Sequence, residues 1–166
     1  AVIEKRTGLR LVLQGIADID CERDRGLVLP PGLLTRDTEA VITDRPETIR
    51  TATHVVLPGV GAFRDAMKNI RAQGFDQAIA EATASGAAFM GICLGMQLLF
   101  TVGEEMGTHS GLDIFKGRVK RFTEGLVPQI GWNQAHFKRE DPIMAGIPDH
   151  SYFYFVHSYY VEPENK

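Results

Sequence analysis

The chain has 166 residues and 18.3 kDa, with 44% hydrophobic and 23% charged residues, a length and balance that suit one globular domain and exclude a disordered chain. Its formal net charge of −3 argues against nucleic-acid binding, which draws on a basic excess. No apolar run approaches a membrane span and the opening AVIEKRTGLR lacks the basic-then-apolar order of a secretory signal, so the expectation is a cytoplasmic protein without membrane contact.

Residues 1–37 hold one strand candidate, LRLVLQGI, followed by the charged stretch DIDCERDRG and by LPPGLL; no role is assigned to this segment. From Glu39 to Phe100 short β-rich runs alternate with helical periods. EAVIT (Glu39 to Thr43) and HVVLP (His54 to Pro58) read as strands, being short, rich in valine and isoleucine, and bounded by Asp, Pro and Gly. RPETIRTA between them can hold a short helix. Phe63, Met67 and Ile70 then recur at helical spacing with Arg64, Asp65, Lys68 and Arg71 on the other face, and Gly74 suits the helix end. A second helix runs from Phe75 to Ser85. AAFMGI (Ala87 to Ile92) reads as a buried strand, and Met96, Leu98, Leu99 and Phe100 as a helix after it. Strand, helix, strand, helix predicts an open parallel sheet. IFKGRVKRF, PQIGWNQAHF and YFYFVHSYYVE, the last taken as one strand from Tyr152 to Glu162, predict a mixed or antiparallel extension on the same domain.

Cys93 falls on the turn between the Ala87–Ile92 strand and the helix near Leu94. A sharp strand-to-helix turn lifts a side chain out of the sheet, and its flanking glycines, Gly91 and Gly95, let the turn close. The position is also the carboxyl end of a parallel strand, where open α/β sheets bind ligands. The plain alternative is a buried structural cysteine, the commoner state of a lone intracellular Cys; the glycine-flanked turn favours a nucleophile. A second glycine loop, LPGVGAF (Leu57 to Phe63), follows a strand in the same way, and its backbone amides could face the same crevice and serve an oxyanion. A phosphate loop is the weaker reading, because no Lys-Ser or Lys-Thr follows. Cys21 and Cys93 give neither a disulfide framework nor a metal-ligand spacing, so no metal and no cofactor are expected.

Together LPGVGAF, GICLGMQLLF, PQIGWNQ and YFYFVHSYYVEP resemble the class I glutamine amidotransferases, and within them the glutaminase subunits of imidazole glycerol phosphate synthase in histidine biosynthesis. The resemblance runs from about Thr38 to Glu162, which marks 38–166 as the amidotransferase domain and 1–37 as a segment that does not match. It implies a three-layer α/β fold with a mostly parallel core and an antiparallel extension, in which Cys93 attacks the side-chain amide of L-glutamine and the resulting thioester is hydrolysed. It assigns oxyanion or substrate contacts to Gly59, Val60, Gly61, Leu94, Gln97, His157, Ser158 and Tyr159. It also implies a heterodimer with a cyclase barrel subunit that receives the ammonia, with Trp132 and Asn133 at the partner interface.

Two departures from the family pattern stand out. Residues 1–37 show no Asp-Tyr-Gly-x-Gly-Asn type motif, and no His-x-Glu pair occurs in the 166 residues, so the domain reads as incomplete at its C-terminus and lacks the family's base. Of the five histidines, His54 belongs at the far end of the sheet from Cys93, His109 and His150 in polar loops, and His136 in an alternating strand as an exposed polar partner. His157 is the best internal substitute, although the resemblance gives it a binding position. Two other functions compete: a non-catalytic relative that acts as a partner-binding module, and a cysteine hydrolase of another substrate class. Keeping the cysteine, the glycine loop and Gln97 together argues against the first, and the GWN segment has no use in the second.

Overall fold

A computed structural model describes Ile16–Ala17 (β1), Leu34–Thr35 (β2) and residues 43–165. The strand candidates LRLVLQGI and EAVIT lie outside the described residues but for one terminal residue each, and the charged stretch between them lies wholly outside. Of the described residues, those within Asp44–Ile130 and Val156–Lys166 form one compact unit and those within Ala1–Thr43 and Gly131–Phe155 another. Among the described residues no helix is long and apolar enough to cross a membrane.

The first unit carries the α/β pattern. Pro46–Arg50 form α1, with proline in the first turn, where its missing N–H costs nothing. β3 (His54–Gly59) and β4 (Ala88–Cys93) pair in parallel, from His54 opposite Ala88 to Gly59 opposite Cys93. A parallel pair needs a long crossover, and here it is made of α2 (Phe63–Ala72) and α3 (Phe75–Ala84). The helices turn at Gly74, whose φ of 70° is the left-handed conformation expected at a helix end. The spacing of Phe63, Met67 and Ile70 does what its period predicts, since all three are buried in one cluster with Leu94, Leu98, Phe100 and Val119. Arg50 on α1 pairs with Glu81 on α3 at 2.6 Å.

β4 leads at once into α4, which spans only Leu94–Gln97. This shortens the expected helix: Phe100 opens β5 (Phe100–Gly103) instead of closing a helical turn. Leu98, Leu99 and Phe100 are all buried, and a fully buried apolar run satisfies a strand as well as a helix. β5 lies beside β6 (His109–Ser110) on one side and β7 (Phe115–Arg121) on the other, and β10 (Tyr159–Pro163) completes the order β10-β7-β5-β6. β7 runs parallel to β5 and antiparallel to β10, so this part is mixed, as expected. His109, expected in a loop, belongs to β6, and its Nε2 is buried.

β8 (Gln129–Gln134) and β9 (Tyr152–His157) make a separate two-stranded pair. The run YFYFVHSYYVE is therefore two strands. It breaks at Ser158, because β9 takes its hydrogen bonds from β8 whereas β10 takes them from β7. His136 stands two residues beyond the end of β8, outside the strand predicted for it.

Candidate active site

Cys93 is the last residue of β4 and the cap of α4, with φ 54° and ψ −118°. A non-glycine residue at positive φ away from the left-handed helical well stores roughly 1–3 kcal/mol of strain, and such residues gather at functional turns. The thiol is free and exposed. A cysteine with a merely structural part would be buried and unstrained; this one is neither.

The two glycines around it are required by packing. A β-carbon on Gly91 would lie 2.5 Å from Cα of Met96, and one on Gly95 would fall on the carbonyl oxygen of Leu57 in β3. The spacing Gly-x-Cys-x-Gly thus lets α4 double back against the ends of β3 and β4 with no side chain between the backbones, which is how the turn comes to be sharp. Leu94, next to the cysteine, is 4% exposed and anchors the turn in the core.

The second loop is brought alongside by the sheet register. Gly59 is the partner of Cys93 in the parallel pair, so Val60 and Gly61 leave the sheet beside the cysteine turn. Val60 is 91% exposed, and Gly61 has φ 107° with open space where a β-carbon would stand. The far end of the loop is fixed by two contacts. The N–H of Phe63, at the start of α2, donates to Oε2 of Glu105 at 2.7 Å, which satisfies an orphan helix donor and sets a carboxylate at the positive end of the helix. The Phe63 ring lies flat enough on β5 that a β-carbon on Gly103 would come within 2.7 Å of it. Glu105 was not legible in the sequence as part of this loop, since it is 42 residues away in the chain.

Gln97 ends α4 and is half-buried. His157 ends β9, donates its Nδ1–H to the carbonyl of Tyr159 at 2.8 Å and meets the Phe122 ring edge-on at 5.1 Å. The carbonyl of Ser158 accepts from the N–H of Phe122. Tyr159 packs against the buried cluster that contains Leu94. Cys93, Leu94 and the Gly59–Gly61 loop are thus joined directly, and Tyr159 through the core they share. His54 is at the opposite end of the β3–β4 pair from Cys93, as expected. Trp132 and Asn133 belong to the other compact unit; both are exposed, and Trp132 packs edge-on against Tyr154 at 5.5 Å. With 66% of its surface exposed, Trp132 is no core tryptophan.

Residues 32–166 match the family described as glutamine amidotransferase class-I. The chain is 48% identical over 128 residues to the imidazole glycerol phosphate synthase subunit HisH of Chlorobaculum tepidum, covering 76% of this chain and 64% of that protein. It is 49% identical over 126 residues to the protein of the same description from Moorella thermoacetica, covering 75% and 60%. With the counterpart from Syntrophotalea carbinolica the identity is 48% over 134 residues, covering 76% and 65%. The chain spans just under two thirds of the length of these curated relatives.

Proposed function

The chain belongs to the class I glutamine amidotransferases, and from that premise we propose that it is the glutaminase subunit of an imidazole glycerol phosphate synthase, with residues 38–166 as its three-layer amidotransferase domain. The observation that carries the reading is the strained, exposed Cys93 on a turn closed by Gly91 and Gly95, with the Gly59–Gly61 loop beside it. In this reading Sγ of Cys93 attacks the side-chain amide carbon of L-glutamine, ammonia leaves, and water cleaves the thioester to glutamate. The tetrahedral oxygen is held by the backbone N–H groups of Leu94 and Val60. Such a donor contributes about 3 kcal/mol when aimed at the developing charge, and the register pairing of Gly59 with Cys93 supports assigning one donor to each loop. Four-residue α4 is too short to supply a sizeable macrodipole, so local N–H groups, not a long helix, carry this stabilisation.

Gln97 and the backbone of His157, Ser158 and Tyr159 bind the amino-acid end of glutamine. The Nδ1–H of His157 donates to the Tyr159 carbonyl, which braces the step from β9 to β10 and fixes the ring's orientation. Ammonia passes to a cyclase barrel, the partner, whose contact includes Trp132 and Asn133; their exposure supports this. The names of the relatives, all subunits of that synthase, support the partner class.

The family's base, a His-x-Glu pair, has no counterpart in the 166 residues. General acid–base catalysis contributes about 10²–10⁴-fold, so glutamate release by this chain with a cyclase barrel should fall below that of a version extended through a His-x-Glu segment by at least that range. Equal rates would place the base within the 166 residues and make His157 the first to test. No release by the extended version would overturn the glutaminase reading.

A further inference from the structure

The turn between β8 and β9 gathers two imidazoles and a carboxylate. The N–H of His150 donates to the carbonyl of Ala135 and the N–H of Ala135 to the carbonyl of Ser151, both at 2.9 Å. This short ladder carries His136 across to Asp149 and His150. The N–H of Phe137 donates to Oδ1 of Asp149 at 2.7 Å, which fixes the carboxylate and turns Oδ2 toward both rings. Nδ1 of His136 is 3.1 Å and Nε2 of His150 3.5 Å from that one oxygen. The rings stack with centroids 4.8 Å apart, and the three donor atoms lie within 4.8 Å of one another.

We propose that His136, Asp149 and His150 form a binding site for a divalent first-row transition metal of the zinc class. Nitrogen and oxygen donors at about 2.0–2.2 Å from one tetrahedral ion stand roughly 3.3–3.6 Å apart; the two distances to Oδ2 are close to that, and the stacked, exposed rings must rotate about their side-chain bonds for both ring nitrogens to converge on the ion. Two imidazoles with one carboxylate suit zinc, cobalt, nickel or copper, whereas magnesium and calcium ask for oxygen donors. The Phe137 N–H is the kind of outer hydrogen bond that orients a ligating carboxylate. Three exposed protein ligands leave coordination positions open to water, as in a site that exchanges its ion, and the ion would tie the two ends of the β8–β9 turn together.

His150 supplies a clean test because its φ is 62°, a conformation that glycine adopts at no cost. His150→Gly should therefore keep or raise the thermal midpoint while removing a ligand. The 166-residue chain, free of any tag and with its cysteines blocked by iodoacetamide, is dialysed against zinc chloride in excess magnesium, and bound zinc is counted. The wild type should hold one equivalent. His150→Gly and His136→Gln should each weaken binding by more than the about 10–100-fold that loss of an outer hydrogen bond costs, with unchanged circular dichroism. Failure of the wild type to hold zinc, or equal binding by both folded variants, overturns the proposal. The outcome is independent of the glutaminase reading.

Discussion

Gly59 and Cys93 are partners in the last rung of the parallel β3–β4 pair. Because the strands end level, the cysteine turn and the glycine loop leave the sheet side by side. The elbow also depends on Gly95, whose β-position is occupied by the Leu57 carbonyl of the same strand that ends in Gly59. Gly95→Ala should cost about 1–3 kcal/mol, the usual penalty for overpacking. It should also slow alkylation of Cys93 by up to about 10²-fold, since a displacement of roughly 1 Å in a reacting group costs that much. Thermal unfolding and alkylation kinetics measured on the same preparation check both; an unchanged alkylation rate would mean that the turn does not set the thiol's position.

Glu105 holds the other end of the glycine loop through the Phe63 N–H. Glu105→Ala should lower stability by about 1 kcal/mol, in line with the loss of a helix cap and of a favourable charge at a helix N-terminus. Glu105→Gln, which keeps an acceptor, should recover most of it. Denaturant melts of the two variants give the comparison, and equal losses would show that the acceptor itself does not matter.

Trp132 should matter to association and little to folding, because it is mostly exposed and touches Tyr154 alone among the aromatic rings described. With a cyclase barrel as partner, Trp132→Ala should weaken binding by about 2 kcal/mol or more, the size of an aromatic anchor, and leave the thermal midpoint nearly in place. Titration followed by calorimetry tests this; wild-type affinity in the variant would remove Trp132 from the interface.

Acid sensitivity should localise in part to Asp113. Its carboxyl lies below the ordinary value because Lys116 donates to it at 2.6 Å and Thr101 at 2.7 Å. A group whose pKa is lower in the folded than in the unfolded chain adds stability above the unfolded pKa and loses it as pH falls through the folded one. Asp113→Asn should therefore flatten the acid limb of the stability profile below about pH 4, where the wild type declines. A titration by nuclear magnetic resonance giving Asp113 an ordinary pKa would contradict this.

What could be read from the sequence was what local sterics decide. Gly91, Cys93 and Gly95 demand a sharp turn wherever they follow a strand, and the spacing of Phe63, Met67 and Ile70 marks a buried helix face in any context. The end of α4 was illegible because Leu98, Leu99 and Phe100 form a continuous apolar run, which helix and buried strand satisfy alike. The break at Ser158 was hidden for a related reason: β-rich residues run on from YFYFVH to YYVE with only Ser158 between them, and only the change of partner from β8 to β7 reveals two strands. The Glu105 cap and the cluster of His136, Asp149 and His150 are products of tertiary contact, between residues 42 apart in the chain in the first case and, for His136 and Asp149, 13 apart in the second. No local propensity encodes either.

The measurement closest to the central claim is the site of attack by a glutamine-shaped electrophile. A chloroketone analogue of glutamine, incubated with the folded chain and followed by peptide mass spectrometry, should modify Cys93 before Cys21, the other cysteine of the sequence. L-Glutamine should slow the reaction in proportion to its occupancy while L-asparagine, one methylene shorter, protects far less. Modification at Cys93 that glutamine does not slow, or equal modification of the two cysteines, would contradict the assignment of this turn as a glutamine-directed nucleophile.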